Sequence, residues 1–193
     1  MRKKSHILLA RYLADRMTIS ESLQSHRKAF CLGSILPDIR PSFVTKRHEF
    51  FGTFSDIQEQ LCTLIKNENG RCSERVFWRR LGEIIHYIAD YFTFPHNKCY
   101  SGNLFQHNKY EKNLKNQLKK YILSGQADLD MEEDVCFEDF SDLVAFIRNC
   151  HICYMDRVHN VADDIHYILS VCYQVIRGVV QLCMNPYVQC SAA

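Results

Sequence analysis

The sequence predicts an all-α fold, a single-domain helical bundle. Three observations lead there. The 193 residues include only four prolines and seven glycines, too few turn-formers for a chain of many short strands. Alternation with a period of two is hard to find. Apolar residues instead recur at three- and four-residue steps almost throughout, the mark of amphipathic helices. At this length one domain buries a sizeable core, and an apolar share of 47% supplies it. No internal repeat, low-complexity tract or linker divides the chain, so residues 1–193 read as one domain.

The elements follow in order. Ser5 is a candidate N-cap for a first helix running to about Met17, with Ile7, Leu8, Tyr12 and Leu13 inward. The segment Cys31 to Pro41 contains Pro37 and Pro41 and is expected to be irregular. His48 to Lys66 reads as a helix closed by Asn67-Glu68-Asn69-Gly70. Ser73 caps a long central helix whose Phe77, Leu81, Ile84, Ile85 and Ile88 keep helical spacing. Pro95 pushes Phe94 out of the α region, so this helix should end near Phe92 or Thr93. Asn108 to Leu123 forms a further helix, stopped at Ser124-Gly125. The acidic run Asp128 to Asp134 reads as a solvated loop, and two helices, Phe140 to Met155 and Ala162 to Leu182, close the fold.

Composition excludes some classes. A formal charge of +2 marks neither a polyanion-binding nor an acidic protein. The longest apolar runs fall short of a membrane span. Met1-Arg2-Lys3-Lys4 resembles the basic start of an export signal, but Arg11, Asp15 and Arg16 interrupt the apolar stretch that follows. A cytoplasmic protein is the expectation. The ten cysteines are scattered through a chain with a large core, which favours reduced thiols over a disulfide scaffold. Cys150-x-x-Cys153 has no second pair at finger spacing and is read as two buried or half-buried thiols. The Lys109, Lys112, Lys115, Lys119 and Lys120 stripe reads as a solvated helix face that could attract phosphates, and Asp163, Asp164 and His166 as ordinary polar-face residues.

Chemistry concentrates in His86-Tyr87-Ile88-Ala89-Asp90-Tyr91-Phe92-Thr93-Phe94-Pro95-His96. His86 and Asp90 lie one turn apart on one helix face, and the turn at Pro95 brings His96 back toward the helix end. A lone His-x-x-x-Asp pair reads more simply as a surface charge pair. The rest of the chain changes the balance. His6 lies in the first turn of the first helix, Asp38 in the Pro-Asp-Ile-Arg-Pro segment, and His48 opens the next helix. His107 and Glu111 repeat the i,i+4 device. Neutral imidazoles with carboxylates form a donor set that zinc accepts without any thiolate. A multi-zinc hydrolytic site needs such a set, with a carboxylate able to bridge.

At these residues the sequence resembles the zinc-dependent phospholipases C, whose fold is shared by single-strand nucleases. The similarity runs from Ser5 to about Glu111. It is carried by Ser5-His6, by Asp38, by Lys46-Arg47-His48, by Leu81-Gly82 with His86-x3-Asp90-x4-Pro95-His96, and by His107-Asn108-Lys109-Tyr110-Glu111. The resemblance implies up to three zinc ions. Asp38, His48, His86 and Asp90 would hold one, and His96, His107 and Glu111 a second. His6 would hold the third, bridged through Asp90 and completed by the amine and carbonyl of Met1, where family members usually have tryptophan. It also implies phosphodiester hydrolysis by metal-activated water, with Asp38 the residue considered for general base. The expected substrate is a phospholipid or another phosphodiester, with peripheral membrane contact and no spanning segment. Choline-preferring members place an aromatic residue after the loop aspartate, where this chain has Ile39. Phe43, Phe50, Phe51, Phe54, Tyr91, Phe92 and Phe94 could touch a lipid interface or stack on bases, although core packing is the simpler role for most. Two alternatives stay open: a single-strand nuclease using the same site, and a non-catalytic zinc-binding protein without a substrate pocket.

Overall fold

The structure is a computed structural model that describes residues 1–17, 21–40, 48–66, 72–129, 135–157 and 159–184. Eight helices make up the described residues: α1 (Lys3–Arg16), α2 (Glu21–Gly33), α3 (Phe50–Lys66), α4 (Glu74–Tyr91), α5 (Leu104–Leu123), α6 (Gln126–Leu129), α7 (Phe140–Met155) and α8 (Val161–Met184). A 3-10 turn covers Phe94–His96. The expected all-α class is what is found. Phe43, Lys46, Arg47, the stop at 67–70 and the acidic residues 130–134 lie outside the described residues.

α4 is the axis of the fold and packs against α1, α2, α3 and α8. Twelve of its residues are buried, from Phe77 to Tyr91, polar Glu83, His86 and Asp90 among them, so its second half is enclosed by its neighbours. Its pairing with α2 is close because two glycines face each other. A Cβ on Gly82 would lie 2.2 Å from the Phe30 carbonyl oxygen, and one on Gly33 2.0 Å from that of Arg79. Backbone meets backbone there. α8 closes the other side with Val161, Ile165, Ile168, Leu169, Val175, Ile176 and Val179 in the core. Each such side chain contributes about 1.5–3 kcal/mol when removed from water. Among the described residues, α8 is the one helix long and apolar enough by composition to cross a membrane, contrary to the reading of short apolar runs. Its fourteen buried residues account for that composition.

Several boundaries differ from the sequence reading. α1 begins at Lys3 with Arg2 at the cap position. Ser5 is therefore inside the helix and buried rather than its cap. The buried stripe of α1 is Ser5, His6, Leu9, Ala10, Leu13 and Ala14, while Ile7, Leu8 and Tyr12 are only half-buried. α2 was not anticipated, and its last turn absorbs Cys31, Leu32 and Gly33. α5 starts four residues before Asn108 because Asn103 and Gln106 form a reciprocal capping box. Asp128 is not free in a loop: it accepts the Tyr12 hydroxyl and pairs with Arg16, tying α6 to α1. Ser73 precedes α4 as expected but makes no side-chain cap bond. The described cysteines are free, with Cys150 half-buried and Cys153 exposed; burial pushes the Cys150 thiol up to about 11.

Candidate metal centre

The site is assembled around Asp90. This carboxylate is wholly buried in the last turn of α4, and five nitrogens converge on it. The Met1 amine donates to Oδ1, and His6 Nε2 lies 3.3 Å from the same oxygen. On Oδ2, His48 Nδ1 stands at 3.0 Å, His86 Nε2 at 3.3 Å and His96 Nδ1 at 3.7 Å. Burial alone would raise the Asp90 pKa. The nitrogens of His96, the Met1 ammonium, His6 and His86 around it overturn that and hold it well below the usual carboxylate range.

Each partner arrives for a local reason. The start of α1 carries Met1 and His6 inward. The turn after α2 places Asp38, whose Oδ1 is 3.7 Å from His86 Nε2. His48 stands two residues ahead of α3 rather than in its first turn. The Phe94–His96 turn, opened by Pro95, returns His96 to the end of α4. α5 supplies His107 and Glu111 one turn apart: Glu111 Oε1 is 3.3 Å from His107 Nε2 and 3.2 Å from His96 Nε2. The Met1 amine also lies 2.9 Å from His96 Nε2 and 3.4 Å from Glu111 Oε1, so it sits between the two halves of the cluster.

The imidazoles are arranged for a cation. Ser34's carbonyl oxygen accepts from His86 Nδ1 at 2.8 Å, which puts the proton on Nδ1 and leaves a lone pair on Nε2. That lone pair faces His48 Nδ1 at 3.1 Å and Asp90 Oδ2. A backbone carbonyl behind a ligand histidine is the usual orienting device in metal sites. His6 is 1% exposed, and neither ring nitrogen has a hydrogen-bond partner, a costly state for a buried polar group unless something else satisfies it. Burial and neighbouring His86 push His6 down to about 3, so its ring is neutral at physiological pH. Burial likewise lowers His96. Glu111 is drawn the other way: burial opposes ionisation, but hydrogen bonds from His107 and His96 hold it well below the ordinary value. A neutral His6 beside ionised Asp90 and Glu111 is the combination in which such side chains bind metal.

Donor atoms fall into three groups whose members lie within 4.8 Å of one another: His6, Asp38 and His86; His48, His86 and Asp90; His96, His107 and Glu111. The eight side chains singled out in the sequence, and the Met1 amine, are all brought together. The partition differs around His6 and Asp38. Asp38 groups with His6 and His86, whereas the resemblance joined it to His48, His86 and Asp90.

Other residues of the site were not foreseen. Ser34 acts through its backbone and leaves no side-chain signal. Asp164 is fully buried on α8, not a polar-face residue, and accepts from Tyr110, Tyr154 and the Phe94 backbone N–H. Its position was legible: Val161, Asp164, Ile165 and Ile168 fall at i, i+3, i+4 and i+7, on the inward stripe. Among the aromatics, Phe50, Phe54, Tyr91 and Phe92 are core. Phe94 stacks on His159, and Phe51 is exposed.

With this geometry in place, comparison with known proteins is informative. The sequence profile of the family described as zinc dependent phospholipase C matches residues 5–161. The match covers most of the chain, and the chain belongs to that family. Curated proteins and solved structures yield no significant match. The family is one of zinc-dependent hydrolases, and the His and Asp/Glu groups are a donor set suited to zinc.

Proposed function

We propose that the protein is a zinc-dependent phosphodiester hydrolase of the phospholipase C type. The observation that carries this reading is the position of the cluster. Asp38, His48, His96, His107, Glu111 and Met1 all line one cleft of about 950 Å³, so the donor groups form the wall of a space that admits substrate. A purely structural metal site is closed on all sides.

His6, His48, His86, His96 and His107 with Asp38, Asp90 and Glu111 would hold up to three zinc ions, with the Met1 amine as a further donor. Zinc in such a site polarises phosphoryl oxygens and lets water attack phosphorus near neutral pH. The protein's own contributions are positional. Ser34 fixes the His86 tautomer, Asp90 gathers donors from four segments, and the Pro95 turn sets His96. Asp38, at the cluster edge and facing the cleft, is placed to take the proton released by the attacking water. The Met1 amine is protonated in this arrangement: burial disfavours the ammonium, but Asp90 and Glu111 more than restore it. To serve as a donor to zinc the amine would have to give up that proton.

The test is zinc analysis of the purified protein combined with assays on short-chain phospholipid, a nitrophenyl phosphodiester and single-stranded DNA. Bound zinc with chelator-sensitive, zinc-restored turnover of the lipid or nitrophenyl ester supports the reading. Turnover of DNA alone assigns the site to a nuclease. Full zinc occupancy without turnover of any of the three makes it a binding protein.

A further inference from the structure

The mouth of the cleft has a character that the metal cluster does not explain. Its lining includes Arg2, Lys3, Lys4 and Lys115, while Glu49 is its one carboxylate outside the candidate ligand set. Arg2 is pinned: Nη2 donates to the Asn108 carbonyl at 2.9 Å, and Nε is 4.0 Å from Glu111 Oε2. Lys3 and Lys4 are exposed and Lys115 half-buried. The stripe on α5 is therefore not uniform. Lys115 turns into the cleft, whereas Lys109, Lys112, Lys119 and Lys120 are exposed.

Beside these cations stands an apolar pair. Leu104 is 77% and Phe105 76% exposed, and Leu104 also lines the cleft. Single exposed apolar residues are ordinary. Two consecutive ones in an ordered first turn are not, and this turn is held by the Asn103–Gln106 capping box, with bonds of 2.8 and 3.0 Å. Large apolar side chains next to a basic rim are the combination that binds lipid interfaces, the first through burial among acyl chains and the second through headgroup charge.

We propose that this edge docks on membranes bearing anionic phospholipids, and that an anionic phospholipid is the substrate delivered to the cleft. Leu104 and Phe105 enter the interface. Lys3, Lys4 and Lys115 meet headgroup phosphates and carboxylates. The substrate assignment rests on the phospholipase reading above; the docking does not.

Co-sedimentation of the zinc-loaded protein with vesicles tests it without requiring turnover. The vesicles are phosphatidylcholine alone or phosphatidylcholine mixed with phosphatidylserine. Binding is expected on the mixed vesicles and to be much weaker on the neutral ones. A basic side chain near an anionic surface is worth about fivefold in partitioning, so Lys3→Gln/Lys4→Gln/Lys115→Gln should bind the mixed vesicles about a hundredfold more weakly. Leu104→Ser/Phe105→Ser should lose binding while keeping its melting temperature, because both side chains are exposed. Equal binding to the two vesicles, or full binding by either variant, overturns the proposal. So does lysine-dependent retention of single-stranded DNA without vesicle binding, which gives the edge to nucleic acid. A protein that hydrolyses nitrophenyl phosphodiester but ignores anionic vesicles removes the docking and leaves the hydrolase. One that binds but hydrolyses nothing does the reverse.

Discussion

Asp164 accepts the hydroxyl of Tyr110 at 3.0 Å, one residue before Glu111. Its Oδ2 also accepts the backbone N–H of Phe94, two residues before His96, at 3.0 Å, and its Oδ1 accepts Tyr154 at 2.7 Å. A carboxylate outside the donor set thus holds both segments that supply the His96–His107–Glu111 group. Asp164→Asn puts an amide donor opposite existing donors. We expect it to cost about 1–3 kcal/mol and to lower zinc content. Unchanged melting temperature and metal stoichiometry would show that the contact is incidental.

The same residue carries a pH signature. Burial raises Asp164 from 3.8 to about 6, against the opposing donors Phe94, Tyr154 and Tyr110. A folded-state pKa above the unfolded value means the native state holds the extra proton, so stability falls as pH rises through that interval. The non-titrating Asp164→Asn variant lacks this component. The stability of wild type relative to the variant should therefore decline from 3.8 toward about 6 and then level off. Chemical denaturation at several pH values measures it, and a flat difference contradicts it.

Asp90 and Asp163 make a matched pair. Asp90 is buried among five nitrogens, whereas Asp163 is half-buried and bonds locally to Asn160. Asp90→Asn should lose zinc and about 3–5 kcal/mol, as expected when one partner of a buried charge network is removed. Asp163→Asn should retain its metal. Equal zinc content and melting temperature in the two would move the centre off α4.

Gly82→Ala tests the support behind His86. With its new Cβ 2.2 Å from the Phe30 carbonyl oxygen, α4 must move away from α2, and His86 with it from Ser34. A loss of about 3 kcal/mol is expected, toward the upper end for overpacking. Gly52→Ala is the control, since nothing lies within 4 Å of a Cβ there; in the first turns of α3 it should be neutral or stabilising. The ranking of the two melting temperatures decides.

Extending the chain ahead of Met1 turns its amine into an amide, a weak donor that cannot carry the charge now facing Asp90 and Glu111. We expect an N-terminally extended form to hold less zinc and to melt lower than the same protein tagged after Ala193. Equal values in both forms would show that the amine is dispensable.

The sequence disclosed the site better than its scaffold. His86, Asp90, Pro95 and His96 are close in sequence and bound to one helix and its turn, so spacing put them side by side, and the other histidines and acids of the chain made them a metal set. His107 and Glu111 were legible for the same reason. Local signals misled where tertiary contacts decide. Ser5 has a capping side chain, yet α1 starts two residues earlier, where the Met1 amine reaches Asp90. α2 is held by backbone contact through Gly33 and Gly82, which leaves no side-chain signal. Asp164 was read by residue type rather than by its place on an apolar stripe, and Ser34 contributes only a carbonyl oxygen.

The cluster spans a long stretch of chain, and that span dictates when it can form during synthesis. Residues 1–6 leave the ribosome before the rest of the cluster, but the Met1 amine is bonded to a carboxylate 89 residues away. Glu111 follows later still, and the Asp164 contacts that steady it lie 54 and 70 residues beyond their partners. At about 5–20 residues per second, the earliest donors wait about 8–30 seconds for the last of these parts. A cation met by the nascent chain would find isolated pairs such as His107 and Glu111 before it finds the assembled site. Loading therefore follows the synthesis of α8, once that helix has closed over α4 and α5.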